Sequence, residues 1–392
     1  MSKFNNQYFE FTLLLMGLIL PLLLMLNNSL GFFEGRSFLG AIIIILVLMK
    51  LVVVVVYSDK YMISFHSIVL ASFFSLLVLL KFSPSLIVSY FAISPLLMEF
   101  KPVFILVSSL VILWGVSFDR KSIYKCIYVV SISLSVIFII DALVSSYMSG
   151  ALKRATHTGE INYEAMMLLV SICFLLNREK AFDWRLFLVI FGVMATMSRT
   201  AAISLILVFF ISNRVGFSLK LLITSLSVPV VFASAYSRGL NPIDIESVDR
   251  FWMWVLALEI FKTNLFNSVF LGYSPYAPLP IVTIPEQLSW MQGHFMAGKE
   301  GVGVYPFMLH SFWLRISATW GILFAFCSAT YLVFLSLKKR GLVASLSIVI
   351  LLQGMTMGVF YISHAGLFVA ILFIYALRNV CGFRVNRCNI NP

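Results

Sequence analysis

An all-α integral membrane protein of about twelve transmembrane helices, with one large external loop carrying an amphipathic helix, is the fold class this sequence predicts. Three observations predict it. Of 392 residues, 61% are hydrophobic and 11% are charged, whereas a soluble domain carries roughly 25% charged residues. Apolar runs of about 17–25 residues recur from end to end, each long enough to cross a hydrocarbon core of ~30 Å. Stretches such as Ala41–Met49 and Val52–Val56 are apolar on every face, which excludes the alternating pattern of a membrane barrel. With no water in the hydrocarbon, the backbone must pair with itself, so each span is a helix.

In chain order, spans are expected at 9–26, 38–57, 62–81, 102–118, 122–147, 161–177, 184–198, 200–213, 219–236, 311–337, 342–362 and 365–378. The first is preceded by Lys3, is followed by Asn27-Asn28-Ser29 and has no small-residue cleavage site. It reads as a retained helix rather than a removed leader. Leu86–Met98 leaves two alternatives. As a full crossing it puts the N-terminus outside; as part of one broken or re-entrant passage over Ser83–Phe118 it leaves both termini inside. Pro84, Pro95 and Pro102 suit the broken passage. The chain is expected to form a single polytopic membrane domain over 1–392, with the large loop at 237–309 and a basic tail at 379–392. No repeat of 20–50 residues is visible, which weighs against the repeat-built transporter folds.

Charge gives the orientation. The formal net charge is +12, but the basic residues cluster in short loops between spans, so no nucleic-acid partner is implied. The clusters are Arg120/Lys121/Lys125, Arg178/Lys180/Arg185, Arg214/Lys220, Lys338/Lys339/Arg340 and the tail with Arg378, Arg384 and Arg387. The positive-inside rule places them in the cytoplasm. Met148–Glu160, the turn at Ser198-Arg199 and Ser237–Leu309 then face the other side. Cys126, Cys173 and Cys327 lie in apolar runs and Cys381 and Cys388 in the tail. No CxxC pattern or His/Cys cluster suggests a metal.

The external face is where chemistry is expected. Its long loop is too apolar for a linker, and a long ordered loop is usually functional. Val248–Phe266 reads as an amphipathic helix, with Phe251, Trp254, Val255, Leu258, Phe261 and Leu265 at helical spacing. Such a helix lies at the membrane interface or folds over the mouth of the bundle. Lys153, Arg154, Arg199, Arg238, Arg250, Lys262 and Lys299 are the few external basic residues. Arginines at an external membrane surface suit an anionic ligand with a lipid tail, because the planar guanidinium fork matches phosphate oxygens. A lone arginine at a helix end also has a plain structural reading, snorkelling to the interface. His310 ends the loop and is the candidate general base. His157, His294 and His364 are external alternatives, and His66 lies within an early span. Neither a phosphate-binding GxxxxGK[ST] loop nor a dinucleotide GxGxxG occurs, so the activated group must already be in the membrane.

These residues resemble the O-antigen ligase and O-antigen polymerase superfamily of bacterial membrane glycosyltransferases, over about residues 150–325. Arg154 with Gly159, Asn162 and Ala165 is similar to the external loop and span of that family's mid-chain. Thr196-Met197-Ser198-Arg199-Thr200-Ala201 is similar to its short hairpin ending in Ser-Arg or Thr-Arg. Arg250, Trp252, Trp254 and Glu259, followed by Leu271-Gly272-Tyr273, resemble its arginine-bearing loop helix. His310-Ser311 followed by Gly321 resembles its His…Gly pattern. The residue closing the stricter ligase version falls at Phe324, where this chain departs.

The resemblance implies an undecaprenyl-diphosphate-linked glycan as donor and a glycan or lipid A–core as acceptor. It also implies a site facing the periplasm of the bacterial inner membrane, inversion at the anomeric carbon, and no metal or cofactor. Arg199, Arg250 and His310 are the implied catalytic residues, and Arg154, Arg315, Asn162, Trp254 and Tyr273 the implied substrate contacts. A polymerase of lipid-linked repeat units is the preferred reading over a ligase; a chain-length regulator is a candidate partner. A flippase for the same lipid-linked sugars is the alternative of another class, and predicts polar residues lining the early spans.

Overall fold

The computed structural model describes residues 12, 14, 16–19, 22, 37–56, 93–113, 120–155, 161–177, 183–236, 249–275, 278–280, 284–291, 304–339 and 341–381. Every secondary element among them is helical. The expected span at 62–81, most of that at 9–26, residues 83–92 and the tail from 382 lie outside the described residues. So do His66, His157, Gly159, Arg238, His294 and Lys299.

Among the described residues, twelve α-helices, one of them in the loop, carry the fold. They are α1 (Ser37–Val56), α2 (Ile93–Leu113), α3 (Arg120–Ser149), α4 (Ile161–Leu176), α5 (Trp184–Ala195) and α6 (Arg199–Ile211). After these come α7 (Phe217–Tyr236), α8 (Asp249–Thr263), α9 (Phe312–Trp320), α10 (Ile322–Lys338), α11 (Leu342–Thr356) and α12 (Ser363–Cys381). Most match the apolar runs within two or three residues, because a run without charges has no other way to satisfy its backbone in an apolar solvent. Two helices, Ser122–Ser149 and Phe217–Tyr236, are long and apolar enough by length and composition to cross a membrane.

Two expectations are corrected. The passage around Pro95 and Pro102 is not broken there: α2 runs through both. Pro95 sits in the first turn, where its missing N–H has no intrahelical partner to lose. The expected single span 311–337 is instead two helices, divided at Gly321 with φ +92°. A Cβ at Gly321 would lie 2.7 Å from the Val269 carbonyl oxygen, so the loop's backbone occupies the space a side chain there would need.

The core is centred on α4, buried at every position from Glu164 to Leu176. It packs against α3, α5, α6, α11 and α12, while α2 lies along α12 and α1 along α2. Hydrogen bonds across helix ends define two opposite ends of this bundle. At one, Arg214 donates to the Asn177 carbonyl at 3.0 Å and Arg378 to the Leu113 carbonyl at 2.9 Å. At the other, the Ala155 N–H meets the Ala195 carbonyl at 3.4 Å, beside the α5–α6 hairpin. Large apolar side chains such as Leu143, Val144, Phe326, Phe334 and Leu337 are exposed on the outward faces of α3 and α10. Exposed apolar side chains of this kind are compatible with a membrane environment.

Residues 249–309 add a smaller core of their own. Met253, Leu256, Ala257 and Ile260 of α8 are buried with Leu279, Leu288, Met291, Val304 and Tyr305, against Leu314 and Ala318 of α9. This buried stripe is not the one read from spacing: of that set, Leu258 and Leu265 are exposed. α8 is apolar on more than one side, so spacing cannot select the face that packing buries.

Candidate functional site

The last turn of α11 leaves carbonyls with no partner inside the helix, as any helix end does. Here they are taken by groups from two other parts of the chain, α8 and the start of α9. Ser311 Oγ donates to the Gly354 carbonyl at 3.0 Å, the Trp254 indole N–H to Met355 at 3.3 Å, and Arg250 Nε to Thr356 at 2.7 Å. The Phe312 N–H reaches the Met357 carbonyl at 3.0 Å. Just beyond the helix, the Tyr163 hydroxyl accepts from the Gly358 N–H at 3.3 Å. A cation at this end also faces the negative pole of the helix dipole.

Arg250 belongs to the first turn of α8, which is therefore docked on the bundle by its N-terminal half. On the neighbouring helix, the Thr356 hydroxyl donates to Thr200 Oγ1 at 3.0 Å, and Gln353 donates to Ser204 Oγ at 2.8 Å. Thr200 follows Arg199, which is held at the first position of α6 by a tight hairpin. Ser198 caps that helix, its hydroxyl accepting from the Ala201 N–H at 3.4 Å. Thr196 Oγ1 donates to the Val193 carbonyl at 2.6 Å, and Met197 takes φ +47°. A non-glycine residue there is uncommon and marks a turn held by its surroundings.

His310 precedes the cap of α9 and is exposed. Ser311 accepts from the Leu314 N–H at 3.4 Å while donating to Gly354, so one hydroxyl both starts α9 and fastens it to α11. Trp313 donates to the Leu351 carbonyl at 2.9 Å. It packs so close to Gly354 that a Cβ there would lie 2.6 Å from the indole nitrogen.

The structure thus brings Arg199, Arg250, Trp254, His310 and Asn162 to one end of the bundle, around residues 353–358. Asn162 is partly buried beside Tyr163, and Arg154 is exposed beside the α5–α6 hairpin. Arg315 and Tyr273 are placed differently. The Tyr273 hydroxyl donates to the Ile260 carbonyl at 3.0 Å and meets Ser268 Oγ at 2.8 Å, bracing the loop from within. Arg315 is buried in an ion pair with Glu99, Nε to Oε1 at 2.7 Å. Its guanidinium also donates to the Met98 carbonyl at 3.2 Å and lies 3.5 Å from the centre of the Tyr361 ring. Tyr361 and Thr319 both donate to the other Glu99 oxygen, at 3.0 and 3.3 Å.

Glu99 and the end of α11 are what sequence reasoning missed. A carboxylate within an apolar segment carries a signal, because burial without a partner is prohibitive. Among the described residues no group of three or more His, Cys, Asp or Glu side chains could hold a metal ion. The chain matches no protein-family model, no curated protein and no solved structure.

Proposed function

We propose that this chain is a multi-pass membrane glycosyltransferase of about twelve spans in the bacterial inner membrane. It transfers an undecaprenyl-diphosphate-linked glycan to a sugar hydroxyl at the periplasmic face, polymerising O-antigen or other surface-polysaccharide repeat units. One observation carries the reading. Arg199, Arg250 and His310, drawn from three separate stretches of the chain, come to the same helix end through Thr200, Thr356 and Ser311.

In this reading the acceptor hydroxyl oxygen attacks the anomeric carbon as the bond from that carbon to the diphosphate oxygen breaks. The electron pair leaves with the diphosphate, and Arg199 and Arg250 stabilise the charge that collects there. His310 takes the proton of the acceptor. A single displacement inverts the anomeric carbon. Arg154 and Asn162 contact phosphate or the first sugars, and Trp254 offers an aromatic face to the glycan. Arg315 acts at one remove, holding α9 through Glu99, and Tyr273 braces the loop.

The test is a deletion strain whose lipopolysaccharide is separated on a gel and whose lipid-linked glycans are extracted. Core capped with a single repeat, with no long chains on either carrier, is the expected result. Uncapped core with long chains accumulating on the polyprenyl carrier would assign the ligase reaction instead. Normal polysaccharide in both fractions would overturn the proposal.

A further inference from the structure

Beyond the transferase site, the π-helical turn Asn267–Leu271 and the residues before it expose apolar side chains. Leu265 is 68% exposed, Phe266 63%, Phe270 56% and Leu271 53%. Phe266 and Phe270 pair with ring centres 5.4 Å apart, forming one small apolar surface rather than scattered residues. The preceding residues Lys262, Thr263 and Asn264 are exposed and polar. Surface apolar groups that cluster in this way mark an interaction site.

The fold fixes the height of this surface. The Tyr273 N–H donates to the Ala318 carbonyl at 2.6 Å. Gly272 and Gly321 have no Cβ to keep the turn away from the break between α9 and α10, and a side chain at either would run into the opposing backbone. The turn is therefore pinned at the start of α10. That helix ends at Lys338, 17 residues on, which at ~1.5 Å per residue is about 25 Å. A hydrocarbon core is ~30 Å thick. Lys338 closes one end of this length with its ammonium 5.1 Å from the centre of the Phe334 ring, and Trp320 and Phe324, their rings tilted against each other, mark the other. Between them α10 exposes Phe326, Cys327, Phe334 and Leu337.

We infer that Leu265–Leu271 is a membrane anchor whose partner is the acyl-chain boundary of the leaflet on the His310 side. The turn that carries the apolar surface packs against α10 and is level with its aromatic end, where amphipathic rings settle in a bilayer. The N-terminal half of α8 is tied to the bundle by Arg250 and Trp254. The anchor ties the other end to lipid, so the helix bridges the candidate site and the leaflet that would hold a lipid-linked substrate. This inference rests on the bilayer part of the proposed function and is independent of the transfer reaction.

Site-directed nitroxide labelling in phosphatidylcholine–phosphatidylglycerol nanodiscs tests it. Native Cys327 serves as the lipid reference, with Cys381 and Cys388 replaced by Ser. In a Cys327→Ser version of that background, labels go in turn at Phe266→Cys, Phe270→Cys and, as the aqueous reference, Lys262→Cys. Collision rates are read with oxygen, which enters lipid, and with a nickel chelate, which stays in water. At 266 and 270 the oxygen rate should exceed the nickel rate as it does at 327, with the reverse at 262. Nickel access at 266 and 270, with 327 in lipid, would overturn the anchor alone. Nickel access at 327 as well would overturn both the anchor and the bilayer reading. Low access to both reagents at 266 and 270 would mean that protein covers the surface, and would also overturn the anchor.

Discussion

The Glu99–Arg315 cluster and the Arg199–Arg250–His310 rim both rest on arginines and meet in the chain at His310 and Arg315, five residues apart, yet they use the guanidinium to opposite effect. Arg315 gives its Nε–H to a fully buried carboxylate whose second oxygen accepts from Tyr361 and Thr319. Arg250 gives one N–H to a backbone carbonyl and is only partly buried, and His310 is exposed. A buried charge must be matched on all sides, so the first cluster acts as a rivet joining α2, α9 and the α11–α12 connection. A half-exposed arginine held by its Nε is positioned yet still borders solvent. Residue type therefore says little about role; the identity of the partner and its burial decide.

The sharpest way to break this contrast is to remove one half of the rivet. Glu99→Ala or Arg315→Ala should destabilise by ~3–5 kcal/mol, because the remaining charge is left buried. The measurement is thermal unfolding of detergent-purified protein. The double change Glu99→Leu with Arg315→Met should recover most of the loss, since a well-packed apolar pair can replace a buried ion pair. A double variant as damaged as the singles would mean that the pair does more than hold helices together.

On the rim the effect should fall on activity. Arg199→Ala, Arg250→Ala and His310→Ala are each expected to lower transfer by ~10²–10³, the usual effect of losing one preorganised group. Unfolding temperatures should change far less than in the Glu99 variants. Membranes carrying each variant, supplied with lipid-linked repeat units, provide the assay. Full activity in both Arg199→Ala and His310→Ala would remove the rim from the mechanism. Arg250→Lys should recover part of the loss, keeping the charge but not the fork.

Two smaller effects sharpen the boundary between the regions. Gly272→Ala should destabilise by ~1–3 kcal/mol, because its φ of +68° is costly for alanine and its Cβ would meet the Thr319 carbonyl. Unfolding should begin in the loop, as read by limited proteolysis. Ser311→Ala removes the cap of α9 and the bond to Gly354, a loss of about 1 kcal/mol by the usual value of an N-cap. Transfer should fall more than stability does, since His310 is the preceding residue.

Helix positions were legible because apolar run length and solvent chemistry are local properties. The Ser198-Arg199 hairpin was legible too, since a polar interruption between two apolar runs has few other readings. α8 was legible as a helix but not in the face it buries, where Met253 and Ile260 turn inward and Leu258 outward. That choice depends on Leu288 and Met291, which come from elsewhere in the loop. Arg315 shows the same limit in the site. Spacing places it one turn into a helix after His310, but its partner is 216 residues away.

The sequence by itself determined that the chain is helical, that it is apolar enough for a membrane, and which residues of 150–325 deserve attention. Those properties follow from composition and from what a backbone must do where water is scarce. Only the tertiary structure decided that Arg315 is a rivet and that the end of α11 is hydrogen-bonded to residues from α4, α6, α8 and the start of α9. It also decided that Gly321 divides one apolar run into two helices. Each of these is a contact between segments far apart in the chain, settled by which groups remain to satisfy a buried carboxylate, an orphan carbonyl or a crowded backbone once the helices have packed.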